Sequence, residues 1–257
     1  MTLTLVRKEE FALLTLNRPE ALNALSFALL KDIADALDEV AGWRDVRALF
    51  ITGAGQKAFC AGADIKELRH RSLSEQKRGA EAGQATFARL DRLPIASVAL
   101  INGYAFGGGL ELALAATFRI ASSNALFGLP EVKLGLIPGY GGTQRLPRIV
   151  GEARALEMIM TGRSVAAEEA ERFGLIHQLV NDGDLWEAGV AFARRFTRFS
   201  LPSLELARRA VQRAADMPLA DGLQMEAELS TLAYRTADAE EGMAAFEEKR
   251  QAEFKDE

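Results

Sequence analysis

A mixed α/β fold, built from stacked β-β-α turns and finished by a helical region, is predicted by three observations. Two strand-like alternations open the chain, T-L-T-L-V-R and F-A-L-L-T-L-N. The order of buried strand, glycine-rich loop and helix then occurs twice, starting at Val46 and again at Ile95. Beyond about Gly151 the strand patterns nearly vanish and helical spacing takes over. Alternation with a period of two marks half-buried strands, and apolar residues three and four apart mark helices.

The elements follow in order. K-E-E makes a turn between the first two strands. Ser26 is placed to cap a helix whose apolar positions, Leu29, Leu30, Ile33, Ala34, Leu37 and Val40, share one face, and Gly42 ends it. V-R-A-L-F-I-T, from Val46 to Thr52, is a buried strand leading into a glycine-rich loop from Gly53 to Asp64. A polar helical region runs from Glu67 to Leu93 and Pro94 closes it. A second buried strand, I-A-S-V-A-L-I-N, passes through Gly103 into Gly107, Gly108 and Gly109 and a helix carrying Glu111. The remainder is helical, broken by Gly162, Gly174, Pro202 and Pro218, with one short strand at Ile176 to Val180. Leu219, Leu223, Leu229, Leu232, Met243 and Phe246 give the last helices apolar faces, for packing on the chain's own core or on a neighbouring subunit. The expected division is a core over residues 1–195 and a C-terminal helical region over 196–257.

Bulk composition narrows the function. At 257 residues, 49% hydrophobic and 26% charged, the chain can bury a substantial core. No apolar run approaches the ~18 residues of a membrane span, and M-T-L-T-L-V-R-K lacks a signal-peptide layout, so a cytoplasmic protein is expected. A single cysteine, Cys60, excludes an internal disulfide, and with only His70 and His177 no zinc-like spacing exists. A net charge of −5 without a block of Lys or Arg gives no footprint for nucleic acid.

The chemistry lies in carboxylates. Glu111 is the only charged side chain between Pro94 and Phe118, and it stands in G-G-G-L-E-L-A-L-A. An unpaired buried carboxylate is costly, so such a group is paired, protonated or kept for chemistry. Glu131 follows in F-G-L-P-E-V-K-L-G. Two such groups suit water addition or proton transfer at carbon, one giving a proton and the other taking one. Glycines before a helix leave N–H groups without internal partners, which suit an oxyanion. A second donor is available at Ala63 in A-G-A-D, completing a two-donor pocket for a carbonyl that becomes an enolate.

Four segments carry a resemblance: A-F-C-A-G-A-D-I-K-E (Ala58 to Glu67), N-G-Y-A-F-G-G-G-L-E-L-A (Asn102 to Ala113), F-G-L-P-E-V-K-L-G-L-I-P-G-Y-G-G-T-Q-R-L-P-R (Phe127 to Arg148) and A-F-E-E-K-R (Ala245 to Arg250). Together with A-L-N-A-L at Ala21 they resemble the crotonase superfamily, and within it most closely enoyl-CoA hydratases. The resemblance implies a spiral of β-β-α turns with a C-terminal trimerisation region and a homo-oligomer, commonly a hexamer of two stacked trimers. It implies that the Ala63 and Gly108 amides hold an acyl-CoA thioester carbonyl and that Glu111 and Glu131 are the catalytic pair, Glu111 acting on water and Glu131 delivering the proton. It further implies that CoA runs along Ala21, Leu22, Ala61, Gly62, Asp64, Ile65 and Lys66, with Lys249 near its phosphates and Gly107, Pro130 and Gly139 lining the site. No metal or redox cofactor is implied. Tyr140 departs from the pattern, since some hydratases carry a small residue between Gly139 and Gly141; with Phe106 and Leu129 it shapes the acyl wall.

Plainer readings stand beside these. The helix dipole alone favours a Glu at position 111, and Glu131 can be a solvated turn carboxylate paired with Lys133. The three glycines do not meet G-x-G-x-x-G, and G-A-G-Q-K lacks the ending of a phosphate loop. Cys60 reads as a small buried hydrophobe, His70 and His177 as surface or core residues, and Lys249 as part of a solvated face. Rival functions are an enoyl-CoA isomerase, a hydratase of branched acyl groups, and a non-catalytic CoA- or RNA-binding member of the same fold.

Overall fold

The computed structural model describes residues 1–181 and 184–257. The chain divides into two compact units, Met1–Val190 and Ala191–Glu257. In the first, β1 (Leu3–Lys8) and β2 (Phe11–Leu16) pair antiparallel across the acidic turn. Ser26 Oγ accepts from the Leu29 amide at 3.1 Å and caps α1 (Phe27–Ala41), whose buried residues include all six apolar positions read from the spacing. β3 (Ala48–Gly53) follows, and then β4 (Ala58–Cys60), a strand inside what the sequence presents as one loop.

The helical region expected from Glu67 to Leu93 is interrupted. α2 (Ile65–Leu68) ends at Arg69, which is extended, His70 adopts a left-handed φ of 62°, and α3 (Leu73–Arg92) starts afresh. The restart has a local cause: Ser72 and Glu75 form a reciprocal capping box, which satisfies amide groups that a continuous helix would not expose. β5 (Ala96–Ile101), β6 (Tyr104–Phe106), α4 (Gly108–Ala115), β7 (Phe118–Ser122) and β8 (Leu126–Gly128) come next. A 3-10 turn over Pro130–Leu134 leads to α5 (Gly142–Val150), α6 (Glu152–Thr161), β9 (Val165–Ala166), α7 (Ala167–Arg172) and β10 (Gln178–Val180), and α8 (Leu185–Thr197) runs across the boundary of the two units. The last strand is shorter than the Ile176 to Val180 expected, and β9 was not anticipated.

Two sheets result. One has the order β1-β2-β3-β5-β7-β10, parallel from β2 onward, and the other β4-β6-β8-β9, parallel up to β8. Each turn of the chain gives one strand to each sheet (β3 then β4, β5 then β6, β7 then β8), so the backbone advances as the expected spiral. α4 packs directly against β4. A methyl group on Gly109 would lie 2.0 Å from the Cys60 carbonyl oxygen, a backbone atom that no rotamer change can move. Gly109→Ala is therefore expected to cost about 3 kcal/mol, the upper end for overpacking, read as a lower urea midpoint. A midpoint equal to that of the parent protein would contradict this packing.

The second unit holds α9 (Leu201–Arg213), α10 (Leu219–Ala233) and α11 (Ala237–Glu248). Its final residues are tied down by Asp238, which is buried and accepts from the Lys255 and Asp256 amides at 2.7 and 3.0 Å. Of the expected apolar face only Leu229 is buried; Leu219, Leu223, Leu232, Met243 and Phe246 are exposed.

Candidate active site

Glu111 stands in the first turn of α4, a helix buried along its whole length. β6 reaches that helix through Gly107, whose φ of 50° and ψ of −126° are accessible to glycine alone. The sharp turn also brings in the second carboxylate, because a methyl group on Gly107 would sit 2.9 Å from Glu131 Oε1. The Ala61–Asp64 loop meets the same place: a methyl group on Gly62 would be 3.7 Å from the Gly108 nitrogen. Within the described residues neither the Ala63 nor the Gly108 amide donates a hydrogen bond. Two neighbouring loops thus present unused N–H groups, one at the start of a helix.

The two carboxyl groups differ in surroundings. Glu111 is 1% exposed, and its Oε1 accepts from the amides of Tyr140 at 2.7 Å and Gly142 at 2.8 Å. Burial raises its pKa, while those amides and the Arg145 guanidinium pull it back. Arg145 is itself held by Asp91 at 3.2 Å. Glu131, on the 3-10 turn, has a buried Oε2 without a hydrogen-bond partner among the described residues. Burial first, and then the charge of Glu111, push its pKa up to about 7. Glu131 is therefore not the solvated, lysine-paired carboxylate of the plainer reading.

Tyr140 has two roles here. Its backbone holds Glu111, and its buried ring covers Gly108, where a methyl group would lie 3.2 Å from Cδ2. The ring meets Phe87 edge-on at 5.8 Å. Leu129 is fully buried and Phe106 stacks on Tyr104 at 5.5 Å.

The other residues read from the sequence fall in two places. Leu22, next to Ala21, accepts from the Ala61 amide at 3.0 Å; Asp64 Oδ1 accepts from the Lys66 amide at 3.3 Å; Ile65 and Lys66 are exposed. Pro130 directly precedes Glu131, and the Gly139 carbonyl accepts from Gln84 Nε2 at 2.9 Å. All of these belong to the first unit. Lys249 belongs to the second, exposed, in left-handed conformation at the end of α11. Sequence reasoning missed Arg18, Asn23 and Arg145. Their link to the site is tertiary, and the only local signal is that Asn23 and Arg145 stand inside A-L-N-A-L and G-G-T-Q-R, with Arg18 three residues before the first.

The alternative groups are poorly suited to catalysis. Cys60 is buried and its thiol is pushed up to about 12, so the thiolate is scarce. His177 packs edge-on to Phe118 and accepts from the Arg119 amide at 3.2 Å; burial and the Arg119 charge push it down to about 4. His70 is exposed. Among the described residues no group of three or more His, Cys, Asp or Glu side chains is placed to hold a metal ion, and no helix is long and apolar enough to cross a membrane.

A model of the enoyl-CoA hydratase/isomerase family matches residues 7–257. The chain belongs to the enoyl-CoA hydratase/isomerase family. Its relatives include the crotonyl-CoA hydratase of Syntrophomonas wolfei, 40% identical over 97% of this chain and 96% of that protein. The short-chain-enoyl-CoA hydratase of Clostridium acetobutylicum is 38% identical over 97% and 95%. The crystal structure of enoyl-CoA hydratase from Bacillus anthracis aligns over 100% of both chains with a TM-score of 0.94 and 38% identity. The crotonase resemblance of the four segments therefore extends through the whole chain. This member of the enoyl-CoA hydratase/isomerase family has the mixed α/β spiral of its structural relatives, with the two carboxylates and the two free amides at the meeting of its loops.

Proposed function

We propose that this family member is an enoyl-CoA hydratase, adding water across the 2,3 double bond of a trans-2-enoyl-CoA to give the 3-hydroxyacyl-CoA. The observation that carries the reading is a buried carboxyl, Glu111, and a half-buried one, Glu131, in unlike environments beside two unused amides. The thioester oxygen accepts from the Ala63 and Gly108 N–H groups, which makes C3 electrophilic. Glu111 takes a proton from water as its oxygen bonds to C3, and the π electrons move through C2 towards the thioester oxygen. The enolate then collapses as Glu131 gives its proton to C2, and exchange with solvent returns both carboxyls to their starting states. Loss of one such amide donor costs about 3 kcal/mol of transition-state stabilisation in comparable sites.

The surroundings support this direction of proton flow. Two amides and a guanidinium favour an ionised Glu111, whereas the unpartnered Oε2 of Glu131 favours the protonated acid near neutrality. Ala21, Leu22, the 61–66 loop and Lys249 are assigned to CoA by resemblance, and no metal or redox cofactor enters the chemistry. The test is the decay of the conjugated enoyl-thioester absorbance when the protein meets crotonyl-CoA, followed by a chain-length series. Fast decay is expected. No decay with any 2-enoyl-CoA, together with conversion of a 3-enoyl-CoA, would replace the reading by isomerisation.

A further inference from the structure

We infer that Arg18 is a positioning residue that aims the Ala63 amide at the thioester oxygen, an inference that rests on the two-amide pocket proposed above. The direction of the Ala63 N–H is set by its neighbours. Leu25 donates to the Gly62 carbonyl and accepts from the Asp64 amide, each at 2.8 Å, so the two residues flanking Ala63 are bound to Leu25 and the Ala63 amide faces away from it. Gly62 permits this with a φ of 110°.

Leu25 needs support in turn, because its approach is irregular. Leu22 and Asn23 both take left-handed φ values, 52° and 57°; asparagine tolerates this region, whereas leucine keeps it only where the surroundings impose it. Asn23 is 1% exposed and laces this segment to the next loop, donating to the carbonyls of Ala54 and Ala58 at 3.0 and 2.8 Å. Its Oδ1 accepts from the Arg18 amide at 2.9 Å.

The Arg18 guanidinium spans the whole arrangement. Nη1 donates to the Ala24 carbonyl at 2.6 Å, immediately before Leu25, and Nη2 donates to Asp64 Oδ2 at 3.0 Å, immediately after Ala63. Both side chains of that ion pair are less than a fifth exposed. One planar fork therefore ties together the two strands of the bridge that orients the donor. A lysine carries the charge but not two fixed nitrogens, so it cannot hold both contacts in the same geometry. Misplacement of a reacting group by about 1 Å can cost on the order of a hundredfold in rate.

The experiment uses the full chain with Arg18→Lys, Arg18→Gln and Asp64→Asn. It measures kcat and KM on crotonyl-CoA, the thermal midpoint, and the enolate absorbance that develops when acetoacetyl-CoA, a readily enolised 3-oxoacyl thioester, binds. Arg18→Lys is expected to lower kcat about tenfold to a hundredfold with KM within about threefold, and to weaken the enolate band per folded molecule. A merely structural role would lower the thermal midpoint and leave both the band and kcat per folded molecule unchanged. That result overturns the inference, and so does a parent-like kcat in Arg18→Lys. If Arg18→Gln does not fold, Arg18→Lys and Asp64→Asn decide the matter. Absence of the enolate band from the parent protein would instead count against the two-amide pocket, which separates failure of this inference from failure of the proposed function.

Discussion

Glu111→Gln is expected to lower kcat for hydration of crotonyl-CoA by about a thousandfold, in the range for loss of a general base, while the protein stays folded. The structure explains why the two effects separate. Oε1 of the residue accepts from the Tyr140 and Gly142 amides, and a glutamine carbonyl can accept the same two bonds, so the loop over 139–142 keeps its anchor. The change removes the basic oxygen and also a buried negative charge that helps to raise the Glu131 pKa. The measurement is kcat on crotonyl-CoA with the thermal midpoint beside it. A rate within tenfold of the parent would remove Glu111 from the chemistry. Loss of hydration with retained conversion of a 3-enoyl-CoA would mark a one-base isomerase.

Glu131→Gln is expected to abolish hydration to a similar degree and at the same time to stabilise the protein above neutral pH. The Glu131 pKa in the folded chain, about 7, lies above the ordinary carboxyl value of 4.5. Between these values the native state binds more protons than the unfolded state, so stability falls as pH rises through that window, and the full penalty is present above about 7. After allowance for partial exposure to solvent the penalty is on the order of 2 kcal/mol. Its removal corresponds to roughly 5 °C in a chain of this size. Thermal melts of both proteins at pH 5 and pH 8 test this: the midpoints are expected to be close at pH 5, and the variant higher at pH 8. In the parent, kcat/KM for hydration is expected to fall above about pH 7 as Glu131 loses the proton it donates. A variant less stable than the parent at pH 8 would show that Glu131 is not held against its ionisation.

Enhanced activity in a stabilised variant is not expected, because the group that destabilises the fold is the one that moves the proton. Glu131 Oε2 makes no hydrogen bond among the described residues, and such an orphaned atom in a native fold calls for a reason. A substrate carbon that receives the proton is one.

Local patterns carried much of this protein. The face of α1 and its Ser26 cap are legible because both depend on residues within a few positions of each other. Glu111 was conspicuous because its surroundings are apolar in sequence as well as in space, and the glycines before it announced a helix entered through a tight turn. The second sheet was hidden, because β4, β6 and β8 are each three residues long and pair only with strands far away in the chain. A three-residue strand has no periodicity to read. The helix break at His70 has a local signal that the continuous polar pattern obscured: Ser72 and Glu75 spell a capping box, which starts a new helix.

The sequence by itself determined which carboxylates and glycines are present, and their motifs determined the family. Only the tertiary structure decided how they differ. The unlike environments of Glu111 and Glu131 depend on which amides reach one carboxylate and leave the other alone, and those amides come from residues 29 and 31 positions along the chain from Glu111. The Arg18 fork closes on Asp64 across 46 positions. Distances of this kind are set when the β-β-α turns stack, since desolvation and hydrogen bonding act through space and no residue carries them in its own identity.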